Sequence, residues 1–188
     1  MLILASASPR RRQLLTEYGY EFSVYPADVE EVSPEEMNVG DVTLYNARLK
    51  AEAVAREVHA IHPDAIILGV DTLVALDGKK LGKPRDMAEA AAMLCSLSGR
   101  IHEVHSGVWA IGPRQSRAFV EVSRVRFKPL DEEAIRRYLA RIEPLDKAGA
   151  YAAQDEHPDG VVEAIEGSRT NVIGLPMEAL ERMLKQSF

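Results

Sequence analysis

From its first residues to its last, the sequence alternates between strand-like and helix-like stretches, and no repeat, low-complexity tract or linker interrupts it. That alternation confines the chain to the α/β class: a mixed twisted sheet with flanking helices. We read residues 1–188 as a single domain, because 188 residues suffice to bury a real core without staples. Residues 2–5 read as a buried strand. Ser8 then stands at an N-cap position with Pro9 as the first helical residue, and Leu14, Leu15 and Tyr18 give that helix its apolar side. A second short strand over 22–25 runs into the acidic loop Asp28-Val29-Glu30-Glu31. The following long helix, expected to be capped near Asp41, carries Leu44, Ala47, Ala51, Val54, Ala55 and Val58 on one face, with Lys50 at its border.

Residues 66–76 form an apolar run of strand type, turned back by Asp77-Gly78 through 79–83 in a hairpin. Asp86 with Glu89 reads as a capping box for the next helix. Strands are expected over 104–111 and 119–127, and then a helix capped by Asp131. The polar, glycine-containing stretch 143–160 is the longest irregular piece, and loops of that length tend to be functional. Residues 161–165 and 171–174 are expected to close the sheet before a final helix after Pro176.

Composition narrows the class of partner. No segment approaches the roughly 20 apolar residues of a membrane span, and residues 1–5 carry neither a basic leader nor the apolar stretch of a secretory signal. The single cysteine, Cys95, cannot form an internal disulfide, which fits the reducing cytoplasm. A net charge of −6 argues against broad nucleic-acid binding, so any basic cluster must be local. A homodimer is neither required nor excluded.

Two features point to chemistry. Arg10, Arg11 and Arg12 fall in the first turn of a helix, where the positive end of the dipole disfavours cations. A bound polyanion would compensate, since helix-start N–H groups, Ser8 and arginine forks all donate to phosphate. Asp71 sits in the otherwise apolar run Ile66–Leu76, and a buried carboxylate there needs a cation, a hydrogen-bond network or a cleft. The hairpin offers Lys83, opposite Asp71 across a three-residue loop or opposite Thr72 across a two-residue turn. Glu30, Glu31 and Asp71 are candidate ligands for a divalent metal beside a triphosphate. His102 and His105 point to opposite faces of a strand, which disfavours shared zinc ligation. Cys95 reads as a packing residue.

The ordered series Leu4-Ala5-Ser6-Ala7-Ser8-Pro9-Arg10-Arg11, Gly69-Val70-Asp71-Thr72, Gly82-Lys83-Pro84-Arg85-Asp86, Leu97-Ser98-Gly99 and His102-Glu103-Val104 resembles the Maf family of nucleotide pyrophosphatases. The resemblance continues through Asp146-Lys147-Ala148-Gly149-Ala150-Tyr151, Gln154 and Val172-Ile173-Gly174-Leu175-Pro176, nearly the length of the chain. It implies two lobes around a cleft, similar to the inosine triphosphate pyrophosphatase fold. It also implies hydrolysis of a nucleoside triphosphate between the α and β phosphates, with Mg²⁺ or Mn²⁺ as cofactor. By position, Asp71 matches the family's proton acceptor, working with Lys83. Ser8, Arg11 and Lys50 match substrate-binding positions, and Glu31 and Asp71 match metal-handling ones. Arg10, Thr72 and Gln154 match the branch that hydrolyses dTTP and UTP, whereas the 7-methyl-GTP branch typically has Trp and Gln in place of the first two. Gln154 is followed by Asp155-Glu156-His157-Pro158 where the family usually places Gly. A 7-methyl-GTP pyrophosphatase and a nucleotide-binding regulator of cell division or septum formation remain alternative readings.

Overall fold

The computed structural model describes residues 1–155 and 157–188; Glu156, in the expected irregular stretch, lies outside the described residues. Strands β1 (Leu2–Leu4), β2 (Phe22–Val24), β3 (Ile66–Leu76), β4 (Lys79–Leu81), β5 (Ile101–Ile111), β6 (Ser116–Phe127) and β7 (Val162–Glu166) make one sheet. Its order is β2-β1-β3-β5-β6-β7, with β4 hydrogen-bonded to β3. β1 runs parallel to β2 and β3, and the remaining pairs are antiparallel, so the sheet is mixed as expected.

Strand alternation sorts the core. Leu2, Leu4, Leu68 and Val70 face α1 (Pro9–Glu17) and α6 (Met177–Ser187) through Leu14, Leu15, Leu180 and Met183. Ile3, Ala5 and Ile67 face α2 (Val39–Val58) through Ala51, Val54 and Val58. Further along β3, Val74 and Leu76 pack with α3 (Met87–Leu97) and α4 (Glu132–Leu139) through Leu94, Leu97, Ile135 and Tyr138. Among the described residues no helix is long and apolar enough to cross a membrane.

The approach of α2 to the sheet depends on two glycines. A Cβ on Gly69 would lie 2.0 Å from the Ala47 carbonyl oxygen, and one on Gly107 would lie 2.3 Å from the Thr43 carbonyl carbon. Only a hydrogen fits between strand and helix backbone at these points. Gly107 pairs with Asp71 and Gly69 with Trp109 in the β3–β5 register, so the helix is closest where Asp71 stands on the strand.

Several sequence expectations are corrected. The long helix is capped by Asn38, whose side chain accepts the Asp41 N–H at 2.9 Å, rather than at Asp41. Residues 171–174 are not a strand: they belong to the short helix α5 (Arg169–Ile173) and its cap. There the Ser168 hydroxyl accepts the Asn171 N–H, and Gly174 closes the helix at φ 127°, and these caps override the β-branched pair Val172-Ile173. Cys95 is exposed rather than packed. Of the two turn forms left open by the sequence, the hairpin takes the two-residue one, with Asp77 and Gly78 at φ 51° and 76° and Leu76 opposite Lys79.

Candidate active site

Ser6, at the end of β1, is buried, and its hydroxyl accepts the Ser8 N–H at 3.3 Å. Ser8 occupies the N-cap position of α1 as expected, but its side chain makes no capping bond. Two of the first-turn arginines, Arg10 and Arg11, are answered by the protein itself. Arg11 is buried and donates from Nε to the Gly174 carbonyl at 2.9 Å, and from Nη1 to Ser6 Oγ and the Val70 carbonyl at 2.9 Å each. Its Nη2 reaches Thr72 Oγ1 at 3.2 Å. Burial pulls its pKa below the ordinary arginine value, against the opposing pull of Asp71 and Glu31. The Thr72 hydroxyl also contacts Ser106 Oγ at 2.9 Å and donates to the Gly174 carbonyl at 3.3 Å, which saturates it within the framework. Arg10 reaches across to Asp146, with Nη1 2.8 Å from Oδ2 and Nη2 3.2 Å from the carbonyl oxygen.

Beside this basic turn stands Asp71, only 5% exposed. Strand alternation directs it to the α2 side, where Lys50 Nζ lies 2.8 Å from Oδ1 and Asn46 Nδ2 lies 3.2 Å from Oδ2. Lys50 also reaches Glu31 Oε1 at 2.6 Å and the Val70 carbonyl at 3.3 Å, so its ammonium meets three acceptors. The ion partner expected for Asp71 was Lys83. Among the described residues that partner is Lys50, and Lys83 is exposed beyond the end of β4, on the wall of the same cavity. The two-residue turn sets Lys83 level with Thr72 rather than with Asp71, and α2 fills the Asp71 side with its own lysine.

These groups line a cavity of about 720 Å³. Its lining includes Ser8, Arg10, Arg11, Glu31, Asn46, Lys50 and Asp71 together with Lys80, Lys83, Asp146, Lys147, Tyr151 and Gln154. Ser8, Arg10, Arg11, Glu31, Lys50, Asp71, Thr72, Lys83 and Gln154 therefore all reach one cavity, whereas Glu30, the other carboxylate expected as a metal ligand, is not among the residues lining it. Asn46 was missed by the sequence reading, although its spacing of one helical turn from Lys50 was a visible signal. Asp146 was also missed. Burial pushes its carboxyl up, but hydrogen bonds from Lys147 and Arg10 outweigh that and hold it below the usual carboxylate range. Among the described residues, six cationic side chains line the space against three carboxylates, in a chain whose overall charge is −6. The basic cluster is local, and it faces inward.

Residues 1–187 match the profile of the family described as Maf-like protein. The chain belongs to the Maf family. Similar relatives include the dTTP/UTP pyrophosphatase of Akkermansia muciniphila, 43% identical over 183 residues, covering 97% of this chain and 94% of the relative. The dTTP/UTP pyrophosphatase of Myxococcus xanthus is 44% identical over 188 residues, covering 100% of this chain and 92% of the relative. In fold this Maf chain is similar to the Ham1 protein of Staphylococcus aureus, with a TM-score of 0.56 at 17% identity, covering 100% and 99% of the two chains.

Two conditions bear on a metal in this Maf site. Among the described residues no group of three or more His, Cys, Asp or Glu side chains is placed to hold an ion. Glu31 and Asp71 supply hard oxygens, but Lys50 Nζ lies between them at 2.6 and 2.8 Å. The donor set fits a Mg²⁺-type ion that takes one or two carboxylates and completes its shell with phosphate oxygens and water.

The floor of the Maf cavity rests on Tyr151, whose hydroxyl lies 2.9 Å from Nε2 of the buried His102. His102 packs edge-on to Phe127 and Tyr151, and burial pulls its pKa from 6.5 down to about 4. The unfolded chain therefore binds a proton near pH 6.5 that the folded chain refuses until about pH 4. This contribution leaves stability intact above pH 6.5 and lowers it by about 3 kcal/mol as pH falls to 4. Chemical denaturation at pH 7 and pH 5 checks it: the loss between the two should be smaller by about 2 kcal/mol in His102→Asn than in the parent. Equal losses would contradict a neutral buried imidazole.

Proposed function

We propose that this Maf protein hydrolyses dTTP and UTP, together with modified pyrimidine nucleotides, to the monophosphate and diphosphate. The observation that carries the reading is the inward-facing cluster of six cations around the Asp71–Lys50 pair, inside an acidic chain. A triphosphate supplies the negative charge such a cleft lacks. The Ser8 hydroxyl, which makes no capping bond, and the N–H groups at the start of α1 offer further phosphate donors. The names of the curated relatives support the substrate class, and Arg10, Thr72 and Gln154 support the pyrimidine branch.

In the reaction, water attacks the α phosphorus, the bond to the bridging oxygen breaks, and pyrophosphate leaves. Asp71 orients that water and takes its proton, held in place by Lys50. Lys83 and Lys147 offset charge on the departing phosphates, and Arg10, held by Asp146, bears on which base is accepted. Thr72, saturated by its neighbours, acts on the base through the shape of the cavity wall, while Gln154 presents hydrogen-bonding groups to the base edge. A divalent ion, Mg²⁺ or Mn²⁺, held by Glu31 and Asp71 with phosphate oxygens, would neutralise charge on the triphosphate. Positioning and electrostatics dominate reactions of this type.

Pyrophosphate release from a panel of nucleoside triphosphates, measured with Mg²⁺ or Mn²⁺, tests this. We expect kcat/KM for dTTP and UTP about tenfold or more above the purine nucleotides, and loss of turnover on chelation that added metal reverses. Preference for 7-methyl-GTP would overturn the base assignment. Binding of UTP without turnover under any divalent ion would replace the enzyme with a nucleotide-binding regulator.

A further inference from the structure

We infer that Asn46 is a positioning residue for the hydrolysis, one that orients Asp71 and clamps the Glu31 loop with a single amide; this rests on Asp71 being the group that handles the attacking water. Asn46 is 2% exposed and lies on α2 one turn before Lys50. Its Nδ2 donates to Asp71 Oδ2 at 3.2 Å and to the Val32 carbonyl at 3.0 Å, while its Oδ1 accepts the Val32 N–H at 3.0 Å. The amide pairs with Val32 as a neighbouring strand would. It has one orientation only: reversed, its oxygen would face the carboxylate and the Val32 carbonyl, and its N–H groups would face the Val32 N–H.

Two functional groups are fixed at once. Asp71 receives a charged donor on one oxygen, from Lys50, and a neutral donor on the other, from Asn46, so the plane of the carboxylate is set by adjacent turns of one helix. Val32 follows Glu31, whose side chain is 53% exposed and whose segment has no regular structure of its own. The clamp on Val32 places the backbone from which Glu31 reaches Lys50; a further tie on this loop is from Lys80 to the Pro34 carbonyl. A displacement of about 1 Å in such a constellation costs on the order of a hundredfold in rate.

The experiment compares the parent chain with Asn46→Leu and Asn46→Asp, using steady-state UTP hydrolysis with Mg²⁺, thermal denaturation, and hydrogen exchange at the Val32 amide. For Asn46→Leu we expect kcat to fall about tenfold or more with KM within about threefold of the parent, and Val32 to lose its protection. Asn46→Asp keeps the acceptor for the Val32 N–H but sets a carboxylate against Asp71; Val32 should stay protected while kcat falls. A kcat within twofold of the parent in both variants, or a change confined to KM, would overturn the inference. So would a loss of rate that merely follows the folded fraction. If Asn46→Leu does not fold, Asn46→Asp and Val32 exchange in the parent decide: exchange as fast as that of an exposed loop amide would overturn the clamp. A parent that does not turn over UTP would instead refute the proposed function, and Val32 exchange would still report on the clamp.

Discussion

Asp71→Ala is expected to lower kcat for UTP by about a hundredfold or more, the loss seen when a group acting in the transition state is removed. The folded protein should survive the change, because alanine takes away a buried carboxylate as well as its partner's ion pair. The cost falls on Lys50, which keeps Glu31 and the Val70 carbonyl as acceptors after losing Asp71. Stopped-time pyrophosphate assays on a variant with a parent-like Tm check this. Turnover within tenfold of the parent would remove Asp71 from the chemistry and leave the cleft as a binding site.

The second large effect is structural and reaches the same site. Gly107→Ala would put a Cβ 2.3 Å from the Thr43 carbonyl carbon and 2.4 Å from the Leu44 nitrogen, both in the backbone of α2. Neither atom can rotate away, so the helix must lift from the sheet. Overpacking against backbone costs about 3 kcal/mol or more, and for a domain of this size we expect Tm to drop by about 10 °C. Since Gly107 pairs with Asp71 across β3 and β5, a lifted α2 also withdraws Lys50 and Asn46 from the carboxylate. Activity at a temperature where the variant is folded should therefore fall as well. Gly82→Ala, with open space at the Cβ position, serves as the control and should leave Tm unchanged. Parent-like stability of Gly107→Ala would mean that the helix does not lie on the sheet as described.

These two variants also explain what the sequence could and could not convey. A carboxylate in the apolar run Ile66–Leu76 is legible because it violates a local rule, and the hairpin at Asp77-Gly78 is legible because its turn chemistry is local. The partner of Asp71 was sought in that hairpin, the nearest segment able to return a lysine. It comes instead from Lys50, 21 residues upstream and on a helix across the sheet face. Nothing in α2's own periodicity says how close it comes to β3; Gly69 and Gly107 set that distance, and their meaning appears only once strand and helix are paired. Asn46 was hidden for the same reason, as one more polar residue beside an apolar stripe. The segment over 169–174 misled differently, since Val172 and Ile173 favour a strand while the caps at Ser168 and Gly174 decide for a helix.

Arg11 ties the chain's beginning to its end: its guanidinium is shared among Ser6, Val70, Thr72 and Gly174. For a polypeptide emerging from a ribosome, that sharing sets an order of events. Glu31, Lys50 and Asp71 are all synthesised within the first half of the 188 residues, yet the last acceptor for Arg11 arrives only with Gly174. A nascent or prematurely released chain would carry the reacting groups around a guanidinium still lacking part of its seat. The full seat of this guanidinium thus depends on a carbonyl 163 positions downstream, so the arginine beside the reacting groups is settled only by the segment that carries Gly174.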